Sequence, residues 1–146
     1  MRLLRYFLIG ISILMVSPSM CGQETIRKNS IIVETNYIFS YHFIYNRILA
    51  HNSYNFYIGG GYVIGSQFGA GSHWINIEGG MLFFGQKHFL ETGPGLLIGL
   101  NDVTYPSYKV AYRYQGTKGF VIRPAITIYF PEYPYFAPSI GLGYAF

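Results

Sequence analysis

Taken alternately, the last twelve residues separate into two sets. Phe136, Pro138, Ile140, Leu142, Tyr144 and Phe146 fall on one side; Tyr135, Ala137, Ser139, Gly141, Gly143 and Ala145 fall on the other. Side chains along a β-strand alternate between its faces, so this segment predicts a strand with one wholly apolar face and one of mostly small residues.

The pattern recurs upstream in segments separated by turn residues. Segment 38–48 sets Phe39, Tyr41, Phe43 and Tyr45 against Ser40, His42 and Asn46, and 53–64 sets Tyr54, Phe56, Ile58, Tyr62 and Ile64 against Asn55, Tyr57, Gly59, Gly61 and Val63. Segments 73–84, 88–100, 107–115 and 119–130 repeat it, the last with Phe120, Ile122, Ile126, Ile128 and Phe130 opposed to Val121, Arg123, Ala125 and Thr127. The first strand, 29–36, is the ambiguous one. Alternation runs unbroken from Ile31 to Tyr45, so 30–47 could be one long strand in a set of seven. An even strand number, as in single-chain membrane barrels, requires a hairpin near Asn36-Tyr37 instead, and Asn is a turn former. The expected fold is all-β: a transmembrane antiparallel up-and-down barrel of eight strands. Turns at 48–52, Gly85–Lys87 and Gly116–Lys118 should lie at one end, with loops Gly65–Ser72, Asn101–Pro106 and Pro131–Pro134 at the other.

A soluble eight-stranded barrel would turn the apolar face inward, and volume argues against it. Such an interior is just wide enough for side chains to fill. It cannot hold the chain's many outward-set Phe, Tyr, Ile and Leu residues, whereas Gly, Ala, Ser and a few charges fit. Glu34, Glu78, Glu91, Lys109, Arg113 and Arg123 all fall on the small-residue face, and the apolar face is expected to carry no charge within a strand. Aromatics gather towards the strand ends, Tyr45, Tyr112, Phe120 and Tyr144 at one, Tyr62, Tyr108, Phe130 and Phe136 at the other, as interfacial girdles would.

Composition agrees. The chain is 51% hydrophobic, with 15 Tyr, 12 Phe and 18 Gly in 146 residues, yet beyond the first twenty residues no long apolar run could span as a helix. Residues 1–22 have the form of a signal peptide, with Arg2 and Arg5 before an apolar stretch from Tyr6 to Val16 and cleavage expected after Gly22 or Cys21. Acylation of Cys21 is the alternative, disfavoured by the bulk of Met20. Without Arg2 and Arg5 the ten basic residues become eight against six acidic, a net charge of +2, and no basic run exceeds Arg27-Lys28, so no nucleic-acid partner is expected.

At this point the chain resembles the small outer-membrane β-barrel families of Gram-negative bacteria, and is similar in size to the eight-stranded outer-membrane protein X type. The resemblance lies in Tyr41–Arg47 (Tyr-x-x-x-Tyr-x-Arg), Phe89–Gly95 (Phe-Leu-Glu-x-Gly-x-Gly), Tyr112–Gln115 followed by Lys118-Gly119-Phe120, and the terminal Gly141–Phe146. It covers nearly all of residues 23–146, the expected barrel domain. It implies an outer-membrane location, contact with outer-membrane lipid and lipopolysaccharide, delivery by periplasmic chaperones, insertion by the barrel-assembly machinery and a monomeric state. It also implies that Tyr144 and Phe146 form an assembly signal. It brings no assigned activity.

The six inward charges are the candidate site, expected to pair as a plug because ionised groups in a narrow lumen are costly alone. His42, His51, His73 and His88 show no metal-pair spacing, and no catalytic, cofactor or metal residue is expected. A lipid-modifying enzyme of the lipid A deacylase or acyltransferase type remains open, with Ser72-His73 as its best nucleophile and base. A narrow solute pore is the other alternative to a structural or surface-interaction role.

Overall fold

The computed structural model describes residues 27–36, 40–51, 54–65, 72–83, 85, 87–100 and 103–146, with the backbone alone at Ala50, His51, Tyr54 and Ser72. The leader at 1–22 and the acylation alternative at Cys21 lie outside the described residues.

Eight strands follow one another along the chain: β1 (Asn29–Asn36), β2 (Tyr41–His51), β3 (Tyr54–Gly65), β4 (Ser72–Phe83), β5 (His88–Gly99), β6 (Thr104–Gln115), β7 (Phe120–Tyr129) and β8 (Tyr135–Ala145). Each pairs antiparallel with its sequence neighbours, and β1 also pairs with β8, so the sheet closes on itself. Closure leaves no free edge, which is the condition for placing strands in hydrocarbon. Seven of the strands have 10 to 12 residues, against about 9–11 needed to cross a bilayer at a typical tilt. The division into eight holds. Thr35 lies opposite Tyr41, and the adjoining ends of β1 and β2 are tied by the Ser40 N–H donating to Asn36 Oδ1 at 3.2 Å.

Boundaries differ from the sequence expectation by a few residues: β2 begins at Tyr41 rather than 38, and the expected loop Gly65–Ser72 gives its end residues to β3 and β4. The expected turn at 48–52 is shorter, because β2 runs on to His51 and pairs it with Tyr54. The expected loop Asn101–Pro106 gives up its last three residues to β6, where Pro106 stands opposite Leu96 near the strand start, a position that tolerates its missing N–H. Gly119 belongs to the turn rather than to β7: its φ of 98° suits glycine, and a Cβ there would lie 2.5 Å from the Ala145 carbonyl oxygen.

A closed barrel has no edge on which to place proline, so interior prolines sit where ladders are interrupted. The β4–β5 register breaks between Glu78–Gly95 and Met81–Thr92, at Pro94; the β6–β7 register breaks between Ala111–Ala125 and Tyr114–Ile122, at Pro124. At the first gap Gly93 lies so close to β4 that a Cβ on it would meet the Gly79 carbonyl oxygen at 2.0 Å. A shallow depression lined by Ile77, Gly79, Pro94 and Leu96 marks this gap on the outer wall.

The faces sort as the alternation dictates. Ile58 is 53% exposed and its neighbour Tyr57 1%; the same contrast runs through every strand. The outer wall carries Ile31, Phe43, Ile77, Val110, Ile126 and Leu142. One expectation fails here. Arg47 stands on the outer face between Tyr45 and Leu49, so that face is not free of charge within the strands. Arg47 lies in the second half of β2, opposite Asn29, the first residue of β1, so it stands off the midplane, where a charge facing lipid costs less.

Face assignment gives a direct test. Ile126→Arg places a cation on the apolar wall and should destabilise the barrel by ~2–4 kcal/mol in a bilayer. Ala125→Ser, on the lumen side of the same strand, should be nearly silent. Urea unfolding in lipid vesicles compares them, and equal tolerance would contradict the register of β7.

Candidate functional site

The six charges of the small-residue face come from five strands: Glu34 from β1, Glu78 from β4, Glu91 from β5, Lys109 and Arg113 from β6, and Arg123 from β7. All are buried in the lumen and meet there. Arg123 is the hub. Its Nε reaches Glu91 Oε2 at 2.7 Å, its Nη2 reaches Glu78 Oε1 at 2.7 Å and its Nη1 reaches Glu34 Oε2 at 3.5 Å. Lys109 Nζ bridges Glu78 at 2.8 Å and Glu34 at 3.2 Å. Arg113 binds Glu91 at 3.1 Å and also donates to Ser30 Oγ at 2.9 Å and Gln115 Oε1 at 3.1 Å. Three acids face three bases, so the cluster is neutral as a whole.

Uncharged groups complete the set. Ser139 Oγ donates to Glu34 at 2.9 Å, and Asn76 Nδ2 donates to Glu78 at 3.3 Å. Asn46, with its amide nitrogen turned towards the acceptors around it, donates to Glu78 Oε1 at 3.2 Å. Space for Asn46 comes from the facing strand, since a Cβ on Gly59 would lie 1.8 Å from the end of the Asn46 side-chain amide.

Apolar layers bound this cluster on both sides. Towards the mouth formed by the loops after β1, β3, β5 and β7, Val63, Trp74, Leu97, Tyr129 and Ala137 pack together with Tyr105 and Tyr135 beside them. Towards the mouth that holds the start of β1 and the end of β8 lie two groups, Ile48, Tyr57, Leu82 and Phe89 in one, Ile32, Val121 and Ala145 in the other. The lumen therefore holds bulky apolar side chains as well as small ones, more than volume reasoning from the sequence anticipated. Between these layers Arg113, Arg123 and Glu91 have no accessible surface. Such an interior can brace eight strands against one another.

The histidines whose side chains are described do not converge. His42 lies in the lumen with Nε2 3.1 Å from Ser40 Oγ, and Glu34 is its cross-strand neighbour in the register. This serine–histidine contact escaped sequence reasoning because its two residues sit on one side of a turn and look like ordinary lumen positions. Both are buried, so the pair is closed to substrate. His73 is on the outer face, where its Nδ1 lies 2.7 Å from the Tyr62 hydroxyl and the rings stack. The Ser72 side chain lies outside the described residues, as does that of His51. His88, also outward, hydrogen-bonds the Tyr112 hydroxyl and packs beside Tyr114. Among the described residues no group of three or more His, Cys, Asp or Glu is placed to hold a metal.

Around the β1–β8 seam the termini interlock. Asn29 and Phe146 exchange backbone hydrogen bonds at 3.1 and 2.8 Å. Arg27, just before β1, donates to the carbonyl oxygens of Ala145 at 3.0 Å and Thr117 at 3.1 Å and lies over the Tyr144 ring. Tyr144 and Phe146 themselves point outward, both 53% exposed.

No known protein family and no curated protein matches the sequence. Solved structures match the fold. One is a de novo designed transmembrane β-barrel, with a TM-score of 0.60 at 12% identity, covering 81% of this chain and 92% of that one. Another is the outer membrane protein Ail of Yersinia pestis in a phospholipid bilayer nanodisc, with a TM-score of 0.57 at 13% identity, covering 82% of this chain and 99% of that one. At such low identity the likeness concerns architecture alone. The architecture is that of a small transmembrane β-barrel.

Proposed function

We propose that the chain is a small integral outer-membrane barrel with a structural or surface-interaction role and a lumen closed to solutes. The observation that carries this reading is the neutral six-charge cluster, sealed between apolar layers and lacking accessible surface at its arginines. An apolar, aromatic-belted exterior around a filled interior suits a protein that resides in lipid and conducts nothing. In this reading residues 1–22 export the chain, the β1–β8 mouth faces the periplasm and the barrel works as a monomer delivered by chaperones to the assembly machinery. The short loops of the other mouth face outward, towards lipopolysaccharide.

Planar-bilayer recording tests the closed lumen. Folded protein should add no steady conductance at any ordinary salt concentration, and Ala125→Ser should behave alike. A steady ohmic current from the unmutated protein would establish the pore instead. Comparing lipid A by mass spectrometry with and without expression addresses the enzyme reading, and the expected result is no change.

A further inference from the structure

Outside the lumen the basic residues that follow the leader gather at one mouth, where the sequence also carries Glu24 three residues before Arg27. Apart from the leader's Arg2 and Arg5 and the three lumen bases, the basic residues are Arg27, Lys28, Arg47, Lys87 and Lys118. All five lie towards the β1–β8 mouth: Arg27 and Lys28 before β1, Arg47 in β2 opposite the first residue of β1, Lys87 in the β4–β5 turn and Lys118 in the β6–β7 turn. The segments joining strands at the opposite mouth contain no Lys or Arg, and their charged residues are Asp102 and Glu132. Among the described residues none of the five cations has a carboxylate partner; every ion pair belongs to the lumen cluster.

We propose that these five cations form a ring that binds the anionic phospholipid headgroups of the leaflet around the β1–β8 mouth. This rests on the membrane reading above. Lipid is favoured over a soluble acidic partner by where the cations sit. Arg47 projects from the outer wall between Tyr45 and Leu49, level with Asn29, whose Oδ1 accepts from the Tyr45 hydroxyl at 2.8 Å. A side chain rooted on the apolar wall inside an aromatic belt extends its charge into the headgroup layer, where a soluble protein cannot reach it. Lys28 and Lys118 are exposed, and the five positions lie just before β1, in β2, in the β4–β5 turn and in the β6–β7 turn of the closed sheet. Arg27 is held by carbonyl oxygens and a tyrosine ring, neither of which neutralises its charge. Among the described residues the result is a collar of positive charge without ion-pair partners, which is the pattern that attracts acidic lipids.

Each basic residue near an acidic membrane surface favours association by about fivefold. Averaged over boundary sites that no cation touches, the selectivity for an anionic headgroup is smaller than this but stays above one. The test uses full-length folded barrel in phosphatidylcholine vesicles carrying headgroup-matched spin-labelled phosphatidylglycerol or phosphatidylcholine. Electron spin resonance then gives the ratio of the two motionally restricted fractions. The expected ratio clearly exceeds one at low salt, falls as salt screens it, and returns towards one in a Lys28→Gln, Arg47→Gln, Lys87→Gln, Lys118→Gln variant. Arg47→Lys should retain it. A heat-modifiable gel shift confirms folding in each case, and the salt series on the unmutated protein needs no variant at all.

A ratio near one for the folded, unmutated barrel overturns this inference and leaves the membrane reading intact. Undiminished selectivity in the four-fold variant also overturns it, as does absent selectivity combined with binding of soluble polyglutamate, which would assign the ring to an acidic protein. Failure to form a heat-modifiable barrel in phosphatidylcholine overturns the membrane reading, and this inference with it.

Discussion

Replacing Arg123 by Met is expected to cost the barrel about 3–5 kcal/mol of unfolding free energy, the range for breaking a buried ion pair by removing one member. Arg123 touches all three lumen acids, and without it Glu34, Glu78 and Glu91 share two cations. The loss arises from leaving a carboxylate undercompensated away from water, so it should be recoverable by removing the right acid. Geometry says which. With Arg123→Met and Glu78→Gln together, Lys109 still pairs with Glu34 and Arg113 with Glu91, leaving two one-to-one ion pairs. With Arg123→Met and Glu91→Gln, Arg113 loses its only acid while Lys109 lies between two. The Glu78 combination should therefore recover a substantial part of the loss and the Glu91 combination little. Double-mutant cycles by urea unfolding in vesicles measure both. Equal recovery from either acid would show that only net charge matters, and strict additivity in both cycles would contradict the contacts themselves.

Why those partners could not be paired from sequence alone is a matter of dimensions. Alternation states which face each residue occupies, and it does so strand by strand: β1 is bounded at 29 and 36 by the same turn chemistry that limits it in the structure. It says nothing of the stagger between strands. Stagger and tilt set the height of each side chain, and height decides that Arg123 of β7 meets Glu78 of β4 across the lumen rather than a neighbour on β8. The aromatic layers were hidden for a related reason. Trp74, Phe89 and Tyr129 share the inward parity with glycines and charges, and only their clustering at particular heights makes them caps. Boundaries drifted where local signals competed. Ile48, Leu49 and Ala50 continue a strand pattern into the expected turn, and Pro106 marks a loop by composition yet sits at a strand start where its missing N–H does no harm. Arg47 shares the parity of Tyr45 and Leu49, so alternation by itself puts this charge on the apolar face, against the general pattern.

The C-terminal residue should separate assembly from stability. Phe146→Asp is expected to produce near-complete loss of folded barrel from outer membranes in cells, while the same variant refolds into lipid vesicles almost as well as the unmutated chain. The structure motivates the second half. The Phe146 side chain is 53% exposed and on the outer face, so the lumen packing does not use it, and its backbone hydrogen bonds with Asn29 survive a side-chain change. Asp near the membrane interface costs at most about 1 kcal/mol, too little to unfold a closed barrel. A large defect confined to cells would therefore be a defect of recognition, in keeping with the proposal that Tyr144 and Phe146 form the signal read during insertion. Deleting Phe146 is a harsher change, because it also removes both rungs to Asn29 at the β1–β8 seam, and it should weaken refolding in vesicles as well. Heat-modifiability on gels of outer-membrane fractions, set beside refolding yields of purified protein, distinguishes the outcomes. Normal amounts of folded Phe146→Asp protein in cells would remove the assembly role from this residue. Equal losses in cells and in vesicles would instead make Phe146 a structural member of the seam.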